Sequence, residues 1–437
     1  MGSSSEGSDE PRRVSRRRLL ASVATTLGTA GIGGCLRSDI QGTTATPTGR
    51  PETAAATPTP GARSETAVPE TPTETRTAFE TPEPNRAIAG EWSTAYYDAQ
   101  NTAYAADATG PGVDAETKWR ADIDANIFPG AGPAVVDNTV LMGVYGGALL
   151  AFDGRDGSER WRASVGDDVY ATPAVADGTA VFGSVGGKIH AVSVRDGSEQ
   201  WAHEIGYPPN VPVTIVDDTV YAVVEYGYTE GAVIAVDLAT GRRQWRTDTG
   251  TQMAATPAVA DGTVYVGSGD TMYALDAATG QEQWTSTGNG GRYRTATVDG
   301  GRVYVTTGDG NVLAFDRDDG ATQWSRSIGT EIPVGPARSP AGVVVADESG
   351  TVRLLTPSDG TVRWSTSLGT RRLVRGHPTV TPEAVYVGNY RIDLADGTVR
   401  GTVGPGQSAH QSVVAGGTLL YTVRGQLVAV QTEEPPA

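Results

Sequence analysis

The sequence predicts an all-β fold, an eight-bladed β-propeller of four-stranded antiparallel blades, on three observations. Seven of the eight tryptophans recur in steps of 42, 40, 44, 39, 40 and 40 residues, a period typical of repeat architectures. A shared phrase precedes most of these tryptophans, and the incomplete repeats at the two ends of the array complement each other. The seven residues are Trp119, Trp161, Trp201, Trp245, Trp284, Trp324 and Trp364.

Each period carries the signals of four short strands. Residues 274–284 read Ala-Leu-Asp-Ala-Ala-Thr-Gly-Gln-Glu-Gln-Trp, and looser copies lead to other tryptophans of the series. Two β-rich runs, residues 256–260 and 263–267, precede this phrase and are joined by Asp261-Gly262, a pair that suits a tight hairpin turn. Without apolar residues at helical spacing, the period favours a propeller blade over a helical or leucine-rich repeat.

The ends of the array determine the number of blades. Residues 378–401 form a seventh copy with Gly401 in place of the tryptophan, and we expect a looser joint there. Residues 412–431 offer three strands, and residues 116–121, which contain Trp119, precede the first complete blade. We therefore expect an N-terminal strand to complete the eighth blade and close the ring, which removes the exposed edges of an open array.

The seven tryptophans are expected to join the blades. The glycine of the phrase permits a positive φ at its hairpin, and a tryptophan on the outermost strand can lie across that hairpin and reach the next blade. Burying an indole contributes about 2 to 3 kcal/mol by area. We assign these residues a structural docking role rather than a role in cofactor binding.

Residues 1–35 have the pattern of an export signal with a lipid attachment site. Arg16 and Arg17 lie in a twin-arginine motif, and the weakly apolar stretch 19–34 that follows is too short for a transmembrane helix. It ends in Ile-Gly-Gly-Cys, which resembles a lipobox in which Cys35, the only cysteine, receives a lipid. The alternative is an incidental cysteine beside an ordinary cleavage site. We expect twin-arginine export to the cell surface, with the lipid as the only membrane anchor.

Composition divides the rest of the chain. Residues 36–88 are rich in Thr, Pro and Glu, which predicts a disordered linker because such a segment buries too little apolar surface to offset its ordering entropy. Residues 89–437 form the propeller.

The net charge is −17 and the only lysines are Lys118 and Lys188, a balance that suits very high salt or reflects a coding bias toward arginine. Either interpretation argues against nucleic acid as a partner.

The repeated phrase carries a family resemblance. Ala-x-Asp-x-x-Thr-Gly-x-x-x-Trp, present at residues 235–245 and 274–284, resembles the tryptophan-docking motif of the pyrroloquinoline quinone (PQQ) type propeller repeats. Residues 91–104 resemble the Trp-rich opening that precedes the first strand in such proteins. With its leader, linker and acidic charge, the whole chain is similar to BamB-like, haloarchaeal surface lipoproteins of the PQQ-like β-propeller repeat family.

This resemblance implies two classes of function. A resemblance to the quinoprotein dehydrogenases would imply bound PQQ, a calcium ion held by Glu, Asn and Asp, and a catalytic Asp. In many members it would also imply a vicinal disulfide, which Cys35 cannot form alone. The lengths of the loops match the non-catalytic members better. We therefore expect no cofactor, no metal site and no catalytic residue, and a lipid-anchored monomeric ring that serves as a scaffold or assembly factor for an unknown extracytoplasmic protein. A PQQ/calcium-dependent dehydrogenase is the less favoured alternative.

A further alternative is a receptor for an anionic solute or acidic sugar. The segments that lead into the innermost strands should rim one mouth of the central channel, and several carry cationic side chains. The candidates for this anion-binding funnel are Arg292, Arg294, Arg372, Arg375 and His410. The competing interpretation is that these arginines pair with acidic residues of neighbouring rims, such as Glu331 or Asp168. The four histidines lack metal-ligand spacing.

Overall fold

The computed structural model describes residues 87–128, 130–206, 211–226, 230–250, 255–288, 291–369, 375–408 and 410–432. The export motif with Arg16 and Arg17, the lipidation candidate Cys35 and the linker up to residue 86 lie outside these residues and stay predictions. Within the described ranges, no helix is long and apolar enough to cross a membrane.

The described chain folds as eight antiparallel sheets of four strands each. Blade 1 contains β2 (Ala134–Val136), β3 (Thr139–Val144), β4 (Ala148–Asp153) and β5 (Glu159–Ser164). Blade 2 contains β6 (Ala174–Ala176), β7 (Thr179–Ser184), β8 (Lys188–Ser193) and β9 (Glu199–Glu204). Blade 3 contains β10 (Thr214–Val216), β11 (Thr219–Tyr226), β12 (Glu230–Asp237) and β13 (Arg243–Asp248). Blade 4 contains β14 (Ala258–Ala260), β15 (Thr263–Ser268), β16 (Thr271–Asp276) and β17 (Glu282–Thr287).

The second half of the ring repeats this order. Blade 5 contains β18 (Thr297–Asp299), β19 (Arg302–Thr306), β20 (Asn311–Asp316) and β21 (Thr322–Ser327). Blade 6 contains β22 (Ala337–Ser339), β23 (Gly342–Ala346), β24 (Thr351–Leu355) and β25 (Val362–Ser367). Blade 7 contains β26 (Thr379–Val380), β27 (Ala384–Val387), β28 (Tyr390–Asp393) and β29 (Val399–Thr402). Blade 8 combines β30 (Val413–Ala415), β31 (Thr418–Val423) and β32 (Gln426–Gln431) with β1 (Glu116–Asp122).

Blade 8 closes the ring through the N-terminal strand. β1 pairs antiparallel with β32, and Trp119 lies opposite Ala429 in this register. The prediction of eight four-stranded blades closed by an N-terminal strand is therefore confirmed. The first strand of each blade is the innermost, so the loops that enter these strands and the turns between the second and third strands share one face, which we call the mouth face. The hairpins between the third and fourth strands lie on the opposite face, the hairpin face.

The repeated phrase, in its exact or looser copies, builds the hairpins of the hairpin face in blades 1 to 7. In blade 4 the carboxylate of Asp276 accepts hydrogen bonds from the backbone N–H and the hydroxyl of Thr279, at 2.8 and 2.7 Å. These bonds hold the pKa of Asp276 below its usual range. Gly280 then takes a φ of 72°, a conformation that costs glycine little. The Asp, Thr and Gly of the phrase are thus explained by turn geometry.

Each tryptophan of the series lies on the hairpin glycine of the following blade. Trp284 of blade 4 covers Gly320 of blade 5, and its Nε1 donates to the carbonyl of Arg317 at 2.9 Å. The same indole-to-carbonyl bond, at 2.8 to 2.9 Å, is made by Trp119, Trp161, Trp201, Trp245, Trp324 and Trp364. The structure thus places all seven residues at contacts between adjacent blades.

The joint between blades 7 and 8 differs from the looser packing that the sequence suggested. β32 and β1 are distant in sequence, so blade 8 has no hairpin glycine on which a tryptophan at position 401 would dock. The segment before β1 fills this joint: Tyr386 donates from its hydroxyl to the carbonyl of Pro111 at 2.8 Å, and Ala108 is buried against the shared core. Val113 lies beside Gly401.

Candidate functional site: the axial plug and the mouth cavity

Residues 92–105, which we call the axial plug, occupy the centre of the ring. Their backbone forms hydrogen bonds of 2.7 to 2.9 Å with the innermost strands of six blades. The partner residues in those strands are Val135, Val175, Val259, Val298, Arg338 and Val380. Innermost strands have one edge facing the axis, so the plug satisfies groups that would otherwise need water. The sequence placed this segment before the first strand and gave no indication that it enters the channel.

Side chains fix the plug in one conformation. Trp92 is fully buried, and Asn101 donates from Nδ2 to the carbonyls of Thr256, Pro257 and Ala296 at 3.1 to 3.3 Å. Tyr97, Asn101 and Ala103 have φ values of 76°, 57° and 52°. Left-handed backbone at Tyr97 and Ala103 is unfavourable by itself, so it persists because the surrounding contacts determine it.

Tyr96 lies at the end of the plug that is nearest the mouth face. The imidazole of His377 stacks on the Tyr96 ring with centroids 3.9 Å apart, and its Nε2 lies 2.7 Å from the carbonyl oxygen of Ala95. Gln411 donates to the same carbonyl. The Tyr96 hydroxyl donates to Oγ1 of Thr295 at 3.2 Å. Burial lowers the pKa of His377 to about 4, so the ring is neutral at neutral pH.

Above the plug lies a cavity of about 170 Å³, the mouth cavity. Its lining residues come from the segments that enter the innermost strands of all eight blades, which places it on the ring axis. Ala95 and Tyr96 form its floor. Arg294 and Arg375 contribute the cationic groups, and the lining contains no carboxylate among the residues that the structure describes.

The structure brings together two of the five funnel candidates. Arg294 and Arg375 line the mouth cavity, whereas Arg292 and His410 are not part of its lining, and Arg372 lies outside the described residues. Burial lowers the pKa of His410, and the charge of Arg375 lowers it further. His410 therefore adds no positive charge at neutral pH.

The two arginines differ in their partners. Nη2 of Arg294 lies 3.2 Å from Oε1 of Glu331, the ion pair considered in the competing interpretation, and Nε of Arg294 donates to the carbonyl of Ile332 at 3.3 Å. Glu331 is about half exposed, so water screens this pair. Arg375 is exposed and has no ion-pair partner among the described residues. Asp168, the other acidic residue considered, accepts hydrogen bonds from the N–H of Gly146 and the hydroxyl of Tyr170.

An aromatic patch borders the cavity on the mouth face of blades 1 and 2. Phe128 stacks on Tyr170 with centroids 4.8 Å apart, and Tyr145 packs on Tyr170 at the same distance. Val185, which is 39% exposed, lies beside them because its N–H donates to the carbonyl of Asp168 at 2.9 Å. We define the aromatic patch as Phe128, Tyr145, Tyr170 and Val185; the sequence reading did not identify it, because its members come from different loops.

Ser184, His190 and Glu199 lie in the sequence of contacts that a hydrolytic triad has, but the serine and the histidine are buried. Oγ of Ser184 lies 3.0 Å from Nε2 of His190, and Nδ1 of His190 lies 3.7 Å from the carboxylate of Glu199. Ser184 and His190 are only 1% and 3% exposed. Burial also lowers the pKa of His190. Because no substrate reaches Ser184, we interpret these residues as structural.

The hairpin face carries a wide groove between blades 6 and 7. It is lined by Ala341 and Glu383 and by the charged residues Arg391, Asp393 and Arg400. Asp393 accepts hydrogen bonds from Arg400 at 2.6 Å and Arg391 at 2.7 Å, which hold its pKa below its usual range. Arg391 and Arg400 are both paired with Asp393, so the described lining of the groove offers no cationic group as free as Arg375.

The residues of the mouth cavity do not fit a quinone held by calcium. Calcium takes six to eight oxygen ligands, mostly carboxylates and carbonyls, and the described lining supplies no carboxylate. No group of three or more His, Cys, Asp or Glu within the described ranges is arranged to hold a metal ion. The volume of about 170 Å³ is also below the roughly 300 Å³ at which pockets for larger ligands begin.

Comparison with known sequences identifies one family. The family described as outer membrane protein assembly factor BamB matches residues 100–227 and 229–434, which is most of the chain. No curated protein matches significantly.

Comparison with solved structures gives many matches, among them three that are each at most 16% identical to this chain. A europium-containing methanol dehydrogenase is 15% identical with a TM-score of 0.65, over 78% of this chain and 89% of that one. The quinohemoprotein alcohol dehydrogenase of Comamonas testosteroni is 14% identical with a TM-score of 0.65, over 81% and 82%. The computationally designed protein Ika8 is 16% identical with a TM-score of 0.62, over 72% and 99%. Likeness at this identity shows the fold alone, and function must be argued from the site.

Proposed function

Because this chain belongs to the family described as outer membrane protein assembly factor BamB, we propose that it is a non-catalytic propeller that binds another protein outside the cytoplasm. The partner is a protein of the cell exterior, and the ring is the scaffold that holds it. Neither a quinone nor a metal ion takes part in this function.

The axial plug is the observation that carries this proposal. It fills the centre of the ring with the chain's own backbone, bonded to the innermost strands of six blades. A channel filled in this way leaves the outer faces as the surfaces available for recognition. The poor fit of the mouth cavity to a calcium-bound quinone supports the non-catalytic assignment.

The aromatic patch is the surface that we assign to the partner. Val113 and Val185 are the large hydrophobic side chains that are exposed among the described residues, and Val185 belongs to this patch. Tyrosine and phenylalanine are enriched in protein interfaces. An apolar patch on the surface of a soluble domain marks a site of interaction. Asp167, which is exposed, borders the patch, because its carboxylate lies against Gly186, next to Val185. The partner therefore presents an apolar side chain beside basic residues.

Photo-crosslinking in cells that produce the full chain tests this assignment. A photoreactive residue that replaces Asp167 lies at the patch. One that replaces Arg155 or Ser358, both exposed, lies on the hairpin face. We expect one discrete protein adduct from position 167 and none from the hairpin-face positions. The adduct should be lost in a Tyr145→Ser/Val185→Ser variant, which leaves the mouth cavity lining unchanged.

Two results would overturn the proposal. One is equal crosslinking from both faces, or none from either, with folded protein present. The other is oxidation of an alcohol by the purified full chain that depends on added PQQ and calcium, which would make the dehydrogenase alternative correct.

The membrane anchor is part of the proposal and has its own test. Arg16 and Arg17 direct export by the twin-arginine route, and Cys35 receives the lipid that holds the ring at the cell surface. We expect Cys35→Ser to move the protein from the membrane to the soluble extracytoplasmic fraction. Arg16→Lys combined with Arg17→Lys should instead leave it in the cytoplasm. Retention of the Cys35→Ser protein in the membrane fraction would contradict the lipid anchor.

A further inference from the structure

The mouth cavity has a local charge opposite to that of the whole chain. The chain has a net charge of −17, yet the described lining of this cavity holds two guanidinium groups and no carboxylate. Arg375 lacks an ion-pair partner among the described residues, and Arg294 shares one screened pair with Glu331 at 3.2 Å. A guanidinium with free N–H groups in a concave site is the preferred protein group for binding a carboxylate.

The volume of the cavity restricts the size of its ligand. About 170 Å³ is slightly more than the roughly 150 Å³ of a cavity known to hold benzene. One six-membered ring with its small substituents is of this size. A longer chain or a fused ring would extend out of the cavity past the mouth face.

The walls of the cavity favour a ring with a flat apolar face. Phe128 and Tyr170, stacked at 4.8 Å, line one part of the cavity, and Tyr96 forms the floor. The contact of Tyr96 with His377 and its hydrogen bond to Thr295 hold that floor in place. Aromatic side chains contribute large contact areas with little loss of conformational freedom, so these rings suit packing against a planar or chair-shaped ring.

We propose that the mouth cavity binds a small carboxylate whose body is one six-membered ring, with Arg375 and Arg294 on the carboxylate and Phe128 and Tyr170 on the ring. This ring is a sugar acid or an aromatic acid, which share the same recognition chemistry here. The carboxylate contacts do not depend on the protein partner, because Arg375 and Arg294 are not part of the aromatic patch. Phe128 and Tyr170 belong to both the cavity lining and the patch, so the titrations below use the purified chain without a partner.

Calorimetric titration of the full chain tests the proposal with two matched pairs of ligands. Glucuronate is compared with glucuronamide, and benzoate with benzamide, so that each pair differs only in the charge. We expect one acid to bind with a stoichiometry of one and its amide to bind at least about tenfold more weakly. Binding of glucuronate identifies a sugar acid, and binding of benzoate identifies an aromatic acid. No saturable binding of either acid would overturn the proposal.

Three variants locate the binding. Arg375→Gln should weaken binding of the preferred acid at least about tenfold, whereas Arg292→Gln, outside the lining, should leave it within about twofold. Glu331→Gln should tighten binding, because it frees Arg294 and removes a negative charge near the cavity. A damaged fold cannot produce tighter binding, so this variant separates recognition from stability. Unchanged affinity in both Arg375→Gln and Glu331→Gln would overturn the assignment to the mouth cavity.

Discussion

Tyr96 and His377, which are far apart in the chain, stack with ring centroids 3.9 Å apart and an interplanar angle of 23°. Tyr96 belongs to the axial plug, and His377 precedes the innermost strand of blade 7. Their contact, with the bond from His377 to Ala95, joins the plug to the wall of the ring. It also supports Tyr96, which forms part of the floor of the mouth cavity.

We predict that Tyr96→Ala loosens the plug. The variant removes a buried ring and the bond to Thr295, and we expect a loss of about 3 to 5 kcal/mol in the free energy of unfolding. Hydrogen exchange should show faster exchange at the amides of Val135 and Val380, which donate to plug carbonyls, while amides within the blade sheets keep their protection. His203→Ala, at an exposed site, is the control and should cost less than about 1 kcal/mol. Unchanged exchange at Val380 in Tyr96→Ala would contradict this role.

A second prediction concerns pH. His377 has a pKa of about 4 in the folded protein and an ordinary value of 6.5 when unfolded, so between these values the unfolded chain binds the proton more readily. The stability due to neutral His377 is complete above pH 6.5 and is lost as the pH falls toward 4. The loss is of the order of 3 kcal/mol.

Denaturant unfolding at pH 7 and pH 4.5 measures this effect, with His377→Gln as the comparison. The variant should lose less stability than the wild type over this interval. If the variant does not fold, an NMR titration of the His377 ring provides the check, and a midpoint near 6.5 would contradict the prediction.

A third prediction concerns the contact between Trp284 and Gly320. A Cβ at Gly320 would collide with Cε3 of Trp284, and the φ of 71° is unfavourable for alanine. We expect Gly320→Ala to cost about 2 to 4 kcal/mol. Gly262 has a similar φ of 77° but no atom near the position of a Cβ, so Gly262→Ala should cost only about 1 to 2 kcal/mol. Thermal unfolding of both variants separates the steric effect from the backbone effect, and equal losses would show that the indole yields freely.

A fourth prediction concerns the plug as a whole. A chain that starts at residue 106 retains the 32 strands that the structure describes but leaves the inner edges of six blades without their partners. We expect it to unfold at lower denaturant concentration and to be cleaved faster by protease than a chain that starts at residue 87. A synthetic peptide of residues 87–106 should restore part of the difference. Equal resistance of the two chains would mean that the plug adds little to the ring.

The sequence predicted the ring well because its determinants are local and repeated. The hairpin glycine and the tryptophan four residues after it recur from blade 1 to blade 6, so the contact between Trp284 and the next blade explains the equivalent contacts. The plug has no such repeat. Its bonds join residues such as Ala103 and Val380 across the whole chain, and the positive φ of Ala103 is a result of tertiary contacts that local propensity does not contain.

The sequence predicted the position of the arginines at the mouth cavity but not the partners of the residues around it. Positions before the innermost strands follow from the repeat, so Arg294 and Arg375 were expected at one mouth. The partners of these positions depend on loop conformation. His410 is partly buried with a lowered pKa, and the aromatic patch assembles from separate loops, so neither was deduced from the spacing of residues.

The path of the plug also determines how the ring is presented. Ile88 donates from its N–H to Asn138 in the first turn of blade 1, on the hairpin face, and β32 ends at Gln431 on that same face. The described polypeptide thus enters and leaves the ring on one side. A surface, bead or fusion partner joined next to residue 87 or residue 432 therefore starts from the side opposite the aromatic patch and the mouth cavity, and immobilisation at either position suits binding measurements on the mouth face.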